Sequence, residues 1–232
     1  MKKLKIVLPF LLVLLFAPVA HAERKASVCR GETHQGSLKN GWQLPLSGPN
    51  FEAYSNIGVF TGRNYVHSKV YEVVVNAYAF LEKDAPDKRF VYGETGLKNG
   101  GNFRPHKTHQ NGLSVDFFVP VVNLSGKSSG LPINPLNKLG YDIEFNSQAK
   151  FEDFEIDFEA MAKHLLATKR AADKHKIGIR VVIFDNEYQK KLMATPTGKT
   201  LPSLMKFSTK KPWVRHDEHY HIDFVVPCAE HR

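Results

Sequence analysis

The run HDEHYHIDFVV, residues 216–226, constrains the fold more than any other part of the chain. From Tyr220 to Val226, Tyr220, Ile222 and Phe224 alternate with His221, Asp223 and Val225. This period of two reads as a β-strand with one face in a core. Residues two apart on a strand share a face, so His219 and His221 project together while Tyr220 and Ile222 point inward. A second strand is expected over Ser114 to Pro120, where Val115, Phe117 and Val119 alternate with Ser114, Asp116 and Phe118. Asp116 then lies on the face opposite Val115 and Phe117. If the two strands are neighbours, Asp116, His221 and His109, the last in the loop before Gly112, converge on one point.

The remaining pattern predicts the surroundings. Glu32 to Gly62 is rich in Gly, Asn, Ser and Pro and suggests an irregular wrapping segment with short extended pieces. Val66, Val70, Val73, Val74, Ala77 and Leu81 recur at helical spacing and predict a helix over Tyr65–Leu81. Phe154, Phe158, Met161, Leu165 and Leu166 predict another over Phe154–Lys174. Short strands are expected at Arg89–Glu94 and at Ile179–Phe184, where Arg180 is the one charged exception in a β-branched run. Loops are expected at Lys98–Pro105 and Asn123–Tyr141. Helices and strands mixed without a βαβ rhythm indicate an α+β fold, a single domain with a central antiparallel sheet flanked by helices.

Lys2, Lys3 and Lys5, an apolar run from Ile6 to about Ala17, and Ala20-His21-Ala22 form the layout of a secretory signal peptide. Residues 1–22 are expected to be the signal and 23–232 one domain. The apolar run is shorter than the roughly 20 residues a spanning helix needs, and no second run is long enough. The expected location is therefore the periplasm, with no stable membrane insertion after cleavage. The formal charge is +9, three of the positives being those lysines. A basic chain suits polyanionic surfaces. Nucleic acid is excluded as a partner because no basic run interleaves with aromatics and no recognition motif is present. Cys29 and Cys228 are the only two cysteines, and an even pair in an oxidising compartment reads as a disulfide.

Eleven histidines is a high count, and five fall in two tight groups, HKTHQNGLSVD from His106 and HDEHYH from His216. Two imidazole nitrogens and one carboxylate oxygen, from His109, Asp116 and His221, suit Zn2+. Three protein ligands leave a fourth position open, as in catalytic rather than structural sites. Other divalent ions can occupy such a set. A charged pair outside the strand, Asp217 and Glu218, is expected to be solvated.

The His-x6-Asp element from His109 to Asp116, followed by His219-x-His221, resembles the metallopeptidase group of lysostaphin-type, D-Ala-D-Ala-type and hedgehog-like domains. With "GSLKNGWQLP" and "GETGLKNGG" upstream, "HKTHQNGLSVDFF" and "HDEHYHIDF" resemble the penicillin-insensitive murein endopeptidases over Gly36–Phe224. The resemblance implies a hedgehog/DD-peptidase-like fold and a periplasmic hydrolase cutting peptidoglycan peptide cross-links, at D-alanyl-meso-diaminopimelyl and related bonds. It implies zinc on His109, Asp116 and His221, with His219 as the proton-handling or transition-state group. His106 and His216 match positions near the family's site, His216 as a further catalytic group or one orienting a ligand, and His106 as a group orienting a ligand or contacting the metal. The chain departs from the pattern in "IDFVVPC", where an arginine-bearing sequence is expected, and over 123–153; both segments are candidates to line the substrate groove. Two further readings share the fold: a zinc D,D- or L,D-carboxypeptidase trimming stem peptides, and a catalytically silent wall-binding module. Nothing in the sequence sets an oligomeric state.

Overall fold

Alternating and helix-spaced apolar residues translate into one sheet with two helices against it. A computed structural model of the chain describes residues 24–210 and 214–230, so the expected signal segment 1–22 lies outside the described residues. In chain order the strands are β1 Val28–Glu32, β2 Gln35–Lys39, β3 Trp42–Gln43, β4 Phe51–Ala53, β5 Tyr65–Val66, β6 Phe90–Tyr92, β7 Ser114–Phe118, β8 Val121–Asn123, β9 Ser128–Ser129, β10 Lys150–Phe151, β11 Phe154–Ile156, β12 Gly178–Ile183 and β13 His219–Val225. The helices are α1 Asn56–Phe60, α2 Ser68–Asp84, α3 Phe158–Lys174, α4 Asn186–Ala194 and α5 Leu201–Leu204.

The central sheet has the order β12-β13-β7-β6-β4. Its pairs are antiparallel except for the edge pair β4–β6, which is parallel. β7 and β13 are neighbours, with Tyr220 opposite Phe117 and His221 opposite Asp116. Tyr220, Ile222, Phe224, Val115 and Phe117 are buried under α2 and α3, where His164 of α3 packs on the rings of Phe117, Tyr220 and Tyr78. Fully burying a side chain of this size is worth about 1.5–3 kcal/mol. That drive holds β13 in register, because a slip of one residue would carry His219 and His221 into the apolar layer.

Helix starts are decided by caps rather than by apolar spacing. α2 begins at Ser68, not at Tyr65: Tyr65–Val66 pairs with Trp42–Gln43, and the His67 imidazole accepts a hydrogen bond from the Lys69 amide at 3.1 Å. α3 begins at Phe158, not at Phe154, because the Asp157 carboxylate accepts from the Ala160 amide at 2.9 Å. Phe154–Ile156 instead pairs with β8. The expected loop 123–141 holds β9 and a 3-10 turn over Pro135–Gly140, capped by Asn134. The wrapping segment 32–62 contains α1, capped by Ser55, as well as its short strands.

Cys29 in β1 and Cys228 just after β13 form a disulfide across a sequence separation of 199 residues. Gly31 and Ala229 are also hydrogen-bonded beside it, as are Ala229 and Cys29, so the hairpin β1–β2 is fastened to the end of β13. Among the described residues no helix is long and apolar enough to cross a membrane.

Candidate metal-binding active site

The face of the central sheet away from α2 and α3 carries His219, His221 and Asp223 from β13 and Asp116 from β7, all buried. His109 reaches the same point from the loop before β7, with left-handed backbone at φ 68°. For a non-glycine residue such a conformation costs of order 1–3 kcal/mol and persists only where its surroundings enforce it. Two glycines of the GETG run make that close approach possible. A Cβ on Gly96 would stand 2.7 Å from the His109 carbonyl oxygen, and one on Gly93 would stand 2.7 Å from the Tyr141 hydroxyl.

The donor atoms around Asp116 fit a divalent cation. The Thr95 carbonyl, 3.2 Å from His109 Nδ1, can only accept, so Nδ1 carries the hydrogen and Nε2 the lone pair. His109 Nε2 is buried without a hydrogen-bond partner and lies 3.3 Å from Asp116 Oδ1. Burial keeps the His109 imidazole below its ordinary pKa. His221 directs Nδ1 to the same Asp116 Oδ1 at 2.8 Å and Nε2 to Asp223 Oδ1 at 2.9 Å. An imidazole between two carboxylates needs a hydrogen on each nitrogen, or a metal ion in place of one. Burial opposes charge on His221, yet Asp223 and Asp116 push its pKa up to about 10. For Asp116, burial works against ionisation, but the surrounding His109, His219 and His221 hold its carboxyl well below the usual range.

A second grouping shares two of these residues: His106, His109 and Asp116 offer donor atoms within 4.8 Å of one another. His106 differs in being engaged elsewhere. Its Nε2 lies 2.6 Å from Glu94 Oε2, and its Nδ1 lies 3.9 Å from Asp116 Oδ2, the oxygen that His109 and His221 do not face. Glu94 is itself bonded to the Arg63 guanidinium and accepts from the Tyr54 hydroxyl at 2.8 Å. Burial raises Glu94, but Arg63 and His106 outweigh it and bring its pKa down to about 2. Tyr141 completes this wall. Its oxygen accepts from the Glu94 amide at 2.9 Å, so its hydrogen is directed to Asp116 Oδ2 at 3.1 Å. Oδ1 is thereby left to His109 and His221.

His219 faces the other side of Asp116, with Nε2 3.8 Å from Oδ2 and Nδ1 2.7 Å from Oε1 of the preceding residue, Glu218. Burial lowers the His219 pKa, but Glu218 and Asp116 raise it on balance. The ring of His216 stands 4.6 Å from that of His219. His216 Nδ1 donates to the Val214 carbonyl at 2.9 Å, and burial with the neighbouring His219 brings its pKa down to about 3. Asp217 and Glu218 are both buried rather than solvated, contrary to expectation. Asp217 accepts from the Phe145 amide at 2.6 Å and pairs with Arg215, while burial raises its pKa to about 7. Tyr220 is in the core as expected, its hydroxyl on His164 Nδ1 at 2.8 Å.

His106, His109, Asp116, His216, Glu218, His219 and His221 line a cavity of about 910 Å³, walled also by Arg104, Lys138, Leu139, Tyr141 and Lys210. Segment 123–153 thus lines the groove, whereas Asp223 of the IDFVVPC segment does not and instead backs His221. Sequence reasoning missed Glu94, Tyr141 and Asp223. Strand alternation from His219 and His221 reaches Asp223, and Glu94 sits inside the quoted GETG run, but Tyr141 carries no local signal.

The family described as penicillin-insensitive murein endopeptidase matches the chain over residues 29–232. A search of curated proteins gave no match.

Proposed function

Because the chain belongs to the penicillin-insensitive murein endopeptidase family, we propose that it is an exported, periplasmic zinc endopeptidase that hydrolyses peptide cross-links of peptidoglycan. Membership makes it a peptidase of murein; zinc, the ligand set and the compartment are our reading. The observation that carries the reading is His109 Nε2, buried without a partner and facing the Asp116 oxygen that His221 Nδ1 also faces. His109, Asp116 and His221 would hold the ion. When bound, zinc supplies Lewis acidity to a carbonyl and to water.

The protein's own groups do the rest. Glu218 fixes the hydrogen on His219 Nδ1 and leaves Nε2 to take a proton and return it to the leaving amine. His216, held by the Val214 carbonyl through Nδ1, presents Nε2 beside His219 and helps orient that ring or the substrate. His106, tied to Glu94, keeps the outer oxygen of Asp116 in place without replacing His221. Peptidoglycan stem peptides carry carboxylates, and Arg104, Lys138 and Lys210 on the groove wall give them cationic neighbours.

The test is incubation of the mature protein with purified cross-linked muropeptide dimers, with and without chelator and with zinc added back, products resolved by mass. Chelator-sensitive conversion of dimers to monomers is expected. Intact dimers with a zinc-loaded protein would sink the endopeptidase reading; release of free D-alanine from monomers would then indicate a carboxypeptidase, and no turnover at all a binding module.

A further inference from the structure

Asp223 stands two residues after His221 on the same face of β13 and is paired across the sheet with Ser114 of β7. Its buried carboxylate makes three side-chain contacts. Oδ1 accepts from His221 Nε2 at 2.9 Å and from the Ser114 hydroxyl at 2.6 Å, and Oδ2 accepts from Arg180 Nη2 at 2.6 Å. Arg180 is the charged residue that interrupts the apolar run of β12. It sits where the β12–β13 register shifts between Ile179 and Val181. An irregularity of that kind re-aims a side chain on a strand. The same guanidinium donates to Thr33 Oγ1 at 2.7 Å and to Glu32 Oε2 at 3.2 Å, at the turn of the disulfide-fastened hairpin β1–β2.

We propose that Asp223 is a positioning residue for His221, held in place by Ser114 and Arg180, and that it sets which imidazole nitrogen is offered to a metal ion. The inference rests on His221 being a ligand, as read above. A carboxylate accepts only, so Asp223 keeps the hydrogen on Nε2 and leaves the lone pair on Nδ1, the nitrogen that faces Asp116. Its negative charge also makes the imidazole a more basic donor, as outer carboxylates do for metal-bound histidines. Ser114 and Arg180 leave the carboxylate little freedom to rotate, and Arg180 carries that restraint out to Thr33 and Glu32. Asp223 does not line the groove, so its effect passes through His221.

The experiment is a zinc titration of the full mature protein against a competing chromogenic chelator, with the cobalt(II) absorption spectrum as a second readout. Asp223→Asn, Arg180→Gln and Ser114→Ala are compared with the parent and with His109→Ala. Asp223→Asn is expected to bind one equivalent of zinc ~10–100-fold more weakly and to shift the cobalt spectrum, with Arg180→Gln and Ser114→Ala weakened less. A folded Asp223→Asn protein with parental zinc affinity and cobalt spectrum overturns the proposal. Should Asp223→Asn fail to fold, parental affinity in both Arg180→Gln and Ser114→Ala overturns it instead. A parent protein that takes up no zinc, or a His109→Ala protein that binds it normally, sinks the metal reading, an outcome distinct from the loss of Asp223's role alone.

Discussion

His164 and His221 are both buried, against opposite faces of the same strand, and their environments push them in opposite directions. His164 lies among Tyr78, Phe90 and Phe117, with Nδ1 hydrogen-bonded to the Tyr220 hydroxyl and Nε2 unpartnered. Burial brings its pKa down to about 3. His221 suffers the same burial but shares it with Asp116 and Asp223, and its pKa is pushed up to about 10. Loss of water penalises charge on both imidazoles; an anion sealed in beside one of them reverses the sign. One face of β13 is thus a dry core that disfavours positive charge, and the other is a site whose carboxylates favour it.

The largest expected effect separates these two faces directly. His221→Ala should lose zinc binding and muropeptide cleavage together, by more than ~10³-fold in rate, while His164→Ala should retain one zinc per folded chain. Metal analysis of the purified variants beside product quantification checks this, and a His221→Ala protein that keeps its zinc would break the contrast. Next in size, His219→Ala should keep zinc and lose turnover by ~10²–10⁴-fold, the usual share of a proton-transfer group. Loss of the metal in that variant would mean that His219 is a ligand rather than a proton carrier.

On the dry face the expected effects are on stability. His164→Phe removes the hydrogen-bond partner of the buried Tyr220 hydroxyl and should cost about 1–3 kcal/mol in denaturant unfolding. The double variant His164→Phe with Tyr220→Phe should recover part of that loss, because no polar atom is then stranded. An equal or greater loss in the double variant would show that ring packing, not the hydrogen bond, sets the cost. The remaining effect is in the pH dependence. The native pKa of His164 lies below the unfolded value, so its contribution is present above pH ~6.5 and falls away as pH drops toward 3. Unfolding curves of the parent and the double variant across that range should converge as the pH falls.

Much of this contrast is legible in the chain. Alternation over Tyr220–Val226 assigns His219, His221 and Asp223 to one face and Tyr220, Ile222 and Phe224 to the other before any partner strand is known. The His-x6-Asp spacing brings His109 and Asp116 into one strand and its approach loop, and the two cysteines pair as their number suggests. What alternation cannot supply is the content of the space above each face. Asp217 and Glu218 look like solvated charges, yet the Phe145 amide and Arg215 enclose one and His219 engages the other. The starts of α2 and α3 are displaced for a related reason: apolar spacing runs on through Tyr65 and Phe154, and only the caps and the strand partners of those residues end the helix.

By itself, then, the sequence determined the period of the main strands and helices, the shared face of His219 and His221, and the family to which the chain belongs. The periods and the shared face follow from backbone geometry, which repeats every two or 3.6 residues wherever the strand or helix lies. Tertiary structure alone decided which oxygen of Asp116 meets His109 and His221, that Tyr141 occupies the other, and that Arg180 reaches Asp223 from the neighbouring strand. The contacts of Asp116 with Tyr141 and His221 join residues 25 and 105 positions apart. Their hydrogen-bond directions are set by strand pairing, a register shift and a turn, none of which is written in local spacing.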